Sequence, residues 1–443
     1  MRILLTANAS YVPPRGGSTR SNLVWLEQLA SRGHDCRVVA PAIPKDTPSR
    51  RERVRADLED QEIRVTQVRT DPRLGFDELR RGDITVYSVT DPARLRLVLR
   101  RKILRLRPDW VLVSSEDLGQ VLLSEAHRTA TGRVVYLAHT PQMFPFGPAS
   151  LNPSPAGAEL VARAAAIVVI GNHTATYVER HLGRKPIIIH PPVYGNGPFP
   201  RRDPKAEGLI TMINPCAVKG ISIFLALAAR FPQYEFGALR GWGTTEEDLK
   251  RLRSLPNVRM LRKVRHIEQV LMKTKILLMP ALWYEGFGLI VMEAMLRGVP
   301  VLASNMGSLV EAKAGTRYIL PVRPIERYRT VFDENRMPIP VVPEQDIEPW
   351  AAALEELMTD QELYERESEA ARQAALRFVP TVKASRLEEF LLTLKPAATG
   401  HAAVSAGAEA PAGRETLEEL SPERRALLLR KLRERAGGGA NGH

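Results

Sequence analysis

Short unbroken apolar runs alternate along this chain with stretches in which apolar residues recur every three or four positions. Ile3–Ala7 is the first run, and the amphipathic stretch from Ser18 to Arg32 follows it. Gly33 stands where a helix C-cap belongs. The runs Cys36–Pro41, Asp109–Val113, Val134–Ala138 and Ala166–Ile170 continue the series. Strands that are apolar on both faces and separated by helices predict a parallel sheet covered on each side.

The series pauses between Tyr194 and Gly208. Gly195, Gly197, Pro198, Pro200 and Pro204 crowd there around Arg201-Arg202, which predicts an interdomain hinge. A second series then begins, with strands expected at Leu209–Ile213, Val258–Leu261, Ile276–Pro280 and Pro300–Ala303 and helices over 221–230 and 289–297. Prolines at 324, 338, 340 and 343 interrupt residues 323–343, and helices are expected at 346–358, 361–378 and 381–394. The fold class is therefore α/β: two doubly wound domains, 1–195 and 196–380, facing a central cleft. A helix at 381–395 is expected to return to the first domain. Residues 396–414 are mostly Ala, Gly, Ser and Pro and read as a flexible linker. Residues 415–443 read as a terminal helix, with Ser421 as N-cap and Pro422 at its first position.

Composition agrees with this division. The 443 residues suit two domains of near 200 residues plus a short appendage. At 44% hydrophobic and 26% charged, the chain can build cores and is not globally disordered. No run of 18 apolar residues predicts a membrane helix, and Met1–Thr6 is too short for a signal-peptide core, so a cytoplasmic protein is expected. Cys36 and Cys216 lie far apart and give neither a disulfide framework nor a metal spacing. The net charge of +13 and the abundance of Arg suit phosphates, anionic lipid or an acidic protein. No zinc finger, RNP-like strand or basic repeat supports nucleic-acid binding.

The window Glu285-Gly286-Phe287-Gly288-Leu289-Ile290-Val291-Met292-Glu293-Ala294-Met295 carries the candidate chemistry. It joins a buried strand to a helix start, where open parallel sheets bind ligands. Gly286 and Gly288 remove side chains where a ligand must come close. The amides of Phe287, Gly288 and Leu289 are expected to point out of the helix start and to suit a diphosphate. Glu285 and Glu293 are expected about two turns apart on one helix. A carboxylate accepts hydrogen bonds from vicinal hydroxyls well, so sugar or ribose recognition fits both acids.

With Pro280–Tyr284 before it and Gly298-Val299-Pro300-Val301 after it, this window resembles the E-x7-E signature of glycosyltransferase family 4, whose members are retaining enzymes of the GT-B fold with two Rossmann-like domains. Gly16-Gly17, Arg32-Gly33-His34, His139, Lys219-Gly220 and Ser308-Leu309-Val310-Glu311 match the family in order, over about residues 1–393. The resemblance implies a nucleotide-diphosphate sugar as donor substrate, no tightly bound cofactor, an optional Mg²⁺, and an acceptor that is a small molecule or is held on a carrier. It implies that Glu293 holds the nucleotide ribose and that Glu285 contacts the donor sugar or supports the leaving diphosphate. It further implies that the amides of Phe287 to Leu289 bind phosphates, that Lys219 neutralises the leaving diphosphate, that His139 lies near the transferred sugar, and that Gly16 and Gly17 let a loop close over the substrates. Arg262, Lys263 and Val264–Ile267 fall where members grip the base.

One departure stands out. The family places a Gly-Arg pair where this chain has Ile213-Asn214, so a phosphate-binding Arg is missing. Arg240 is a candidate to replace its charge, and Asn214 to bond a phosphate or a sugar hydroxyl. No residue needs to be a general base if substitution occurs at the front face. A nucleotide-sugar epimerase of the same fold and a non-catalytic scaffold remain alternatives.

Acceptor choice is expected in the Arg-rich region 45–107. Arg94, Arg96, Arg100, Arg101, Lys102, Arg105 and Arg107 could form a basic amphipathic face for peripheral membrane contact, or a solvated face over Leu95, Val98, Leu99, Ile103 and Leu104 turned to the sheet. The tail Leu417–Arg430 resembles segments of non-ribosomal peptide and polyketide synthase systems. That implies docking to a megasynthase and a role in secondary metabolism; folding back or dimerising are the other readings.

Overall fold

The computed structural model describes residues 1–397, apart from 15, 44–47, 61–62, 263, 265 and 336. The expected linker 396–414 and tail 415–443 therefore lie outside the described residues except for 396 and 397. The architecture is the α/β arrangement expected, with two sheets layered with helices.

The first lobe contains β1 (Arg2–Thr6), β2 (Asp35–Pro41), β3 (Thr66–Asp71), β4 (Phe76–Arg81), β5 (Ile84–Val89), β6 (Trp110–Ser114), β7 (Val134–Ala138), β8 (Ala166–Val169) and β9 (Ile187–Ile188). Their order across the sheet is β3-β4-β5-β2-β1-β6-β7-β8-β9. Pairing is parallel from β5 to β9, whereas β3, β4 and β5 form an antiparallel meander at one edge. The second lobe contains β10 (Leu209–Ile213), β11 (Phe236–Leu239), β12 (Val258–Leu261), β13 (Thr274–Met279), β14 (Val301–Ser304) and β15 (Ile319–Leu320), all parallel and ordered β12-β11-β10-β13-β14-β15. The proline-rich stretch after β15 forms a small hairpin of β16 (Tyr328–Phe332) and β17 (Pro338–Pro340).

Both sheets reverse strand order at a central strand: β1 lies between β2 and β6, and β10 between β11 and β13. Ligands of open α/β sheets gather beyond the carboxyl ends of strands at such switch points. The loops after β1, β10 and β13 deliver Gly16, Lys219 and Glu285 there.

The Arg-rich region 45–107 contains the helix Pro48–Asp60, the meander β3–β5 and the helix Leu95–Leu106. The helix Leu95–Leu106 turns Leu95, Val98, Leu99, Ile103 and Leu106 into the core. Its Arg96 pairs with the buried Glu125, and its Lys102 ammonium lies over the rings of Tyr87 and Phe76. Of the apolar residues expected on this helix, Leu95, Val98, Leu99 and Ile103 are buried, whereas Leu104 is exposed.

The last described helix, Arg386–Thr393, starts later than expected and follows a 3-10 turn at Val379–Thr381. It lies against the first lobe. The Trp110 indole donates to the Leu391 carbonyl at 3.1 Å, and Glu388 takes His34 at 2.7 Å and Arg32 at 3.2 Å. Leu387 and Leu391 are buried beneath it, each contributing about 1.5–3 kcal/mol. The Arg32-Gly33-His34 motif therefore anchors this returning helix. One apolar cluster runs from Ile3 and Trp25 of the first lobe to Phe287 and Val301 of the second.

Candidate active site

The two lobes meet along a seam of direct contacts. A Cβ built on Gly286 would stand 2.1 Å from the His139 carbonyl oxygen, and one on Gly171 would stand 2.5 Å from the Gly286 carbonyl and 2.4 Å from Ser308 Oγ. Only glycine permits this approach. Gly288 has φ +96 as N-cap of the helix Leu289–Leu296, a conformation that favours glycine, and packs on Leu309. This corrects the reading of both glycines as room for a ligand: the protein itself occupies the space beside them. Phe287 likewise turns its ring inward, stacking on Phe378 at 5.4 Å.

Glu285 is not on that helix, contrary to expectation. It is extended, bridges in parallel to Gly307, and accepts the Ser308 amide at 2.9 Å through its carbonyl. Its buried carboxylate forms an ion pair with Lys219 and accepts the Trp283 indole N–H at 2.9 Å. Lys219 ends a 3-10 turn after β10, and its ammonium also lies 5.3 Å from the centre of the Trp283 ring. Trp242 packs beside Trp283, and Gly16 lies against Trp242 while Gly17 lies against Leu289. The glycine pair of the first lobe thus meets the start of the 289–296 helix.

Glu293 is 4% exposed, and both its oxygens are taken by Arg20 of the first lobe, at 3.0 Å (Nη1–Oε2) and 2.7 Å (Nη2–Oε1). The sequence reading missed Arg20, because nothing local distinguishes a helical Arg that crosses to the other lobe. Tyr194, in the hinge, has a buried hydroxyl with no partner among the described residues, and its ionisation is opposed first by burial and then by Glu293.

His139 is buried after β7. Asn22 gives its amide to the Tyr11 hydroxyl and Ser114 Oγ, so its carbonyl accepts from His139 Nε2 at 3.0 Å. The Nε2–H tautomer follows, leaving Nδ1 as a buried acceptor without a partner. Burial lowers the pKa of the ring, against the opposing pull of Glu116, so it is neutral at pH 7. Asn214, at φ +58, accepts the Gly243 amide at 2.9 Å and leaves its own Nδ2 unpartnered.

Arg240 is engaged by Glu246 at 2.9 Å and has no bond to the acidic motif. Arg262 is exposed, and Lys263 lies outside the described residues. Glu311, from the Ser308–Glu311 motif, crosses the seam to accept the Asn172 amide at 2.6 Å and lies 3.5 Å from His190. The rings of His173 and Tyr284 stack across the seam at 4.7 Å, and His173 Nε2 has no partner. Among the described residues, His139 Nδ1, His173 Nε2, Tyr194 Oη and Ser308 Oγ along the seam, and Asn214 Nδ2 in the second lobe, are buried polar atoms without a partner. Buried polar groups normally find partners, so these atoms stand out.

Residues 15–194 match the family model described as Glycosyltransferase Family 4, and residues 210–360 match that described as Glycosyl transferases group 1. The fold is shared with a sucrose-phosphate synthase from Thermosynechococcus elongatus, at TM-score 0.64 and 14% identity over 89% of this chain and 99% of that one. Anabaena HepE in complex with UDP-glucose gives TM-score 0.60 and 16% identity over 89% and 100%. The catalytic domain of starch synthase IV from Arabidopsis thaliana, bound to ADP and acarbose, gives 0.58 and 13% over 88% and 98%. No curated protein matches the sequence.

Proposed function

Because this chain is a glycosyltransferase of the family-4 type with the GT-B fold, we propose that it transfers a sugar from a nucleotide-diphosphate sugar, with retention, to a small-molecule, lipid or natural-product acceptor. The gathering of unpartnered polar atoms along the seam, beside the Lys219–Glu285 pair, carries this reading.

In this reading the ribose diol bonds to Glu293. The diphosphate sits at the first amides of the helix Leu289–Leu296, where the helix dipole favours an anion. Lys219 lies at the adjacent loop and balances the charge that grows on the leaving diphosphate. Glu285 holds Lys219 in place and accepts hydroxyls of the donor sugar. His139 is neutral, and its Nδ1 lone pair accepts a hydrogen bond from a sugar hydroxyl. Asn214 Nδ2 is a donor available to a phosphate oxygen.

The acceptor attacks from the face that the diphosphate leaves. The new glycosidic bond forms as the anomeric carbon–phosphate oxygen bond breaks, and the departing oxygen takes the acceptor's proton. The enzyme contributes position and charge stabilisation rather than a base.

Thermal-shift screening against UDP, GDP, ADP and dTDP tests donor binding. The uridine and adenine compounds come first, because HepE holds UDP-glucose and the starch synthase holds ADP. A nucleotide that raises Tm is then followed as its glucose conjugate, with NMR of the product anomer. Inversion at the anomeric carbon defeats the retaining mechanism, and no shift with any of the four defeats donor binding.

A further inference from the structure

The second acid of the E-x7-E window is not free to receive a ribose. Both oxygens of Glu293 are held by the two-pronged guanidinium of Arg20, at 3.0 and 2.7 Å. A vicinal diol that bonds both oxygens side by side uses the same edge of the carboxylate as the guanidinium, so the two compete for that edge. Arg20 belongs to the opposite lobe and is half-exposed, whereas Glu293 is buried.

Two further observations define where Arg20 can go. It lies three residues beyond Gly17, whose nearest neighbour across the seam is Leu289, the first residue of the helix that carries Glu293. Glu293 and Leu289 are one turn apart, roughly 6 Å along the helix axis. A change of Arg20 rotamer covers that span without moving its backbone. Lys219 is the cation already placed beside the helix start, and a second does not come from Ile213-Asn214, which stands where the resemblance places a Gly-Arg pair, or from Arg240, which is paired with Glu246.

We propose that Arg20 supplies a second diphosphate-binding cation from the first lobe, and that its bond to Glu293 is the resting half of an exchange driven by the donor. In the empty enzyme the fork joins the lobes across the seam. On donor binding the ribose takes Glu293, and the released guanidinium turns one turn back to the diphosphate. A bidentate guanidinium matches two phosphate oxygens as well as it matches a carboxylate.

This inference rests on Glu293 being the ribose site, and its test separates the two. Calorimetry first selects whichever of UDP, GDP, ADP and dTDP binds the wild type. Arg20→Ala and Arg20→Lys are then titrated with that nucleoside diphosphate and with its parent nucleoside, which has no phosphate.

Arg20→Ala is expected to bind the diphosphate about tenfold more weakly and the nucleoside severalfold more tightly, because Glu293 is released. Arg20→Lys keeps the charge without the fork and should recover part of the diphosphate affinity. Opposite movement of the two ligands is the signature of exchange. If both affinities fall together, or neither changes, Arg20 is a structural bridge and the proposal fails. If none of the four nucleotides binds, or if Glu293→Ala leaves the nucleoside affinity unchanged, the ribose assignment fails and this proposal with it.

Discussion

The carbonyl oxygen of His139 lies 2.1 Å from where a Cβ on Gly286 would stand, so a backbone atom of one lobe fills the side-chain space of a residue in the other. The expected outcome for Gly286→Ala follows from this contact. A backbone carbonyl cannot swing aside as a flexible side chain can, so the variant holds the seam open. Tm should fall by only a few degrees, because each lobe keeps its own core. The radius of gyration measured by small-angle scattering should rise, and turnover should drop at least about tenfold, as closely positioned catalytic groups are sensitive to shifts of about 1 Å. Unchanged scattering and unchanged turnover would show that the contact is dispensable.

Glu293→Ala removes the acceptor for the ribose and leaves Arg20 half-exposed, where water can solvate it. The fold should survive, with an unaltered far-ultraviolet circular dichroism spectrum. Calorimetry should show affinity for the parent nucleoside, which has no phosphate for the released Arg20, reduced about ten- to a hundredfold, the range for losing a hydrogen bond to a charged group.

Lys219→Ala should lower kcat about 100- to 1000-fold, with KM for the donor changed much less, because the ammonium is needed most as charge develops on the leaving group. Lys219→Arg should restore part of the rate. A rise in KM alone, with kcat kept, would assign Lys219 to ground-state binding only.

Lys313 gives a stability prediction away from the site. It is 2% exposed, donates to the Val301 carbonyl at 2.6 Å, and burial pulls its pKa down to about 7. The unfolded chain keeps an ordinary lysine near 10.4. Between these values the unfolded state binds more protons than the folded one, so the stability linked to this group rises with pH from about 7 to about 10. Lys313→Met should therefore gain stability over the wild type at pH 7, and the gain should shrink towards pH 9.5 in urea denaturation. The same difference at both pH values would show that the ammonium is not carrying a burial cost.

The order of strands and helices was legible because both parallel sheets are apolar on their two faces. The runs at 134–138, 209–213 and 258–261 and the helices at 221–230 and 361–378 coincide with observed elements. The meander β3–β5 was not legible. β3 is exposed along nearly its whole length, and its sequence Thr-Gln-Val-Arg-Thr-Asp carries no apolar alternation. At the site, the acids and the lysine announced themselves through a local pattern. Their partners did not, because Arg20, Tyr194 and Asn22 are joined to them only by the third dimension. Gly286 and Gly288 were visible as glycines, but the backbone contact and the positive φ that require them are properties of the folded chain.

The returning helix has a mechanical effect. The chain passes between the lobes once through the stretch after β9 and again through residues 379–385, where it leaves the helix Gln361–Phe378, which is tied to the second lobe through Ser368 and the Gly298 carbonyl at 2.6 Å. Two straps side by side behave as a door on two pins: they bend about one axis and resist twisting and sliding. Opening of the lobes is then expected to follow chiefly one axis, so two spectroscopic rulers placed at different points across the seam should change in step.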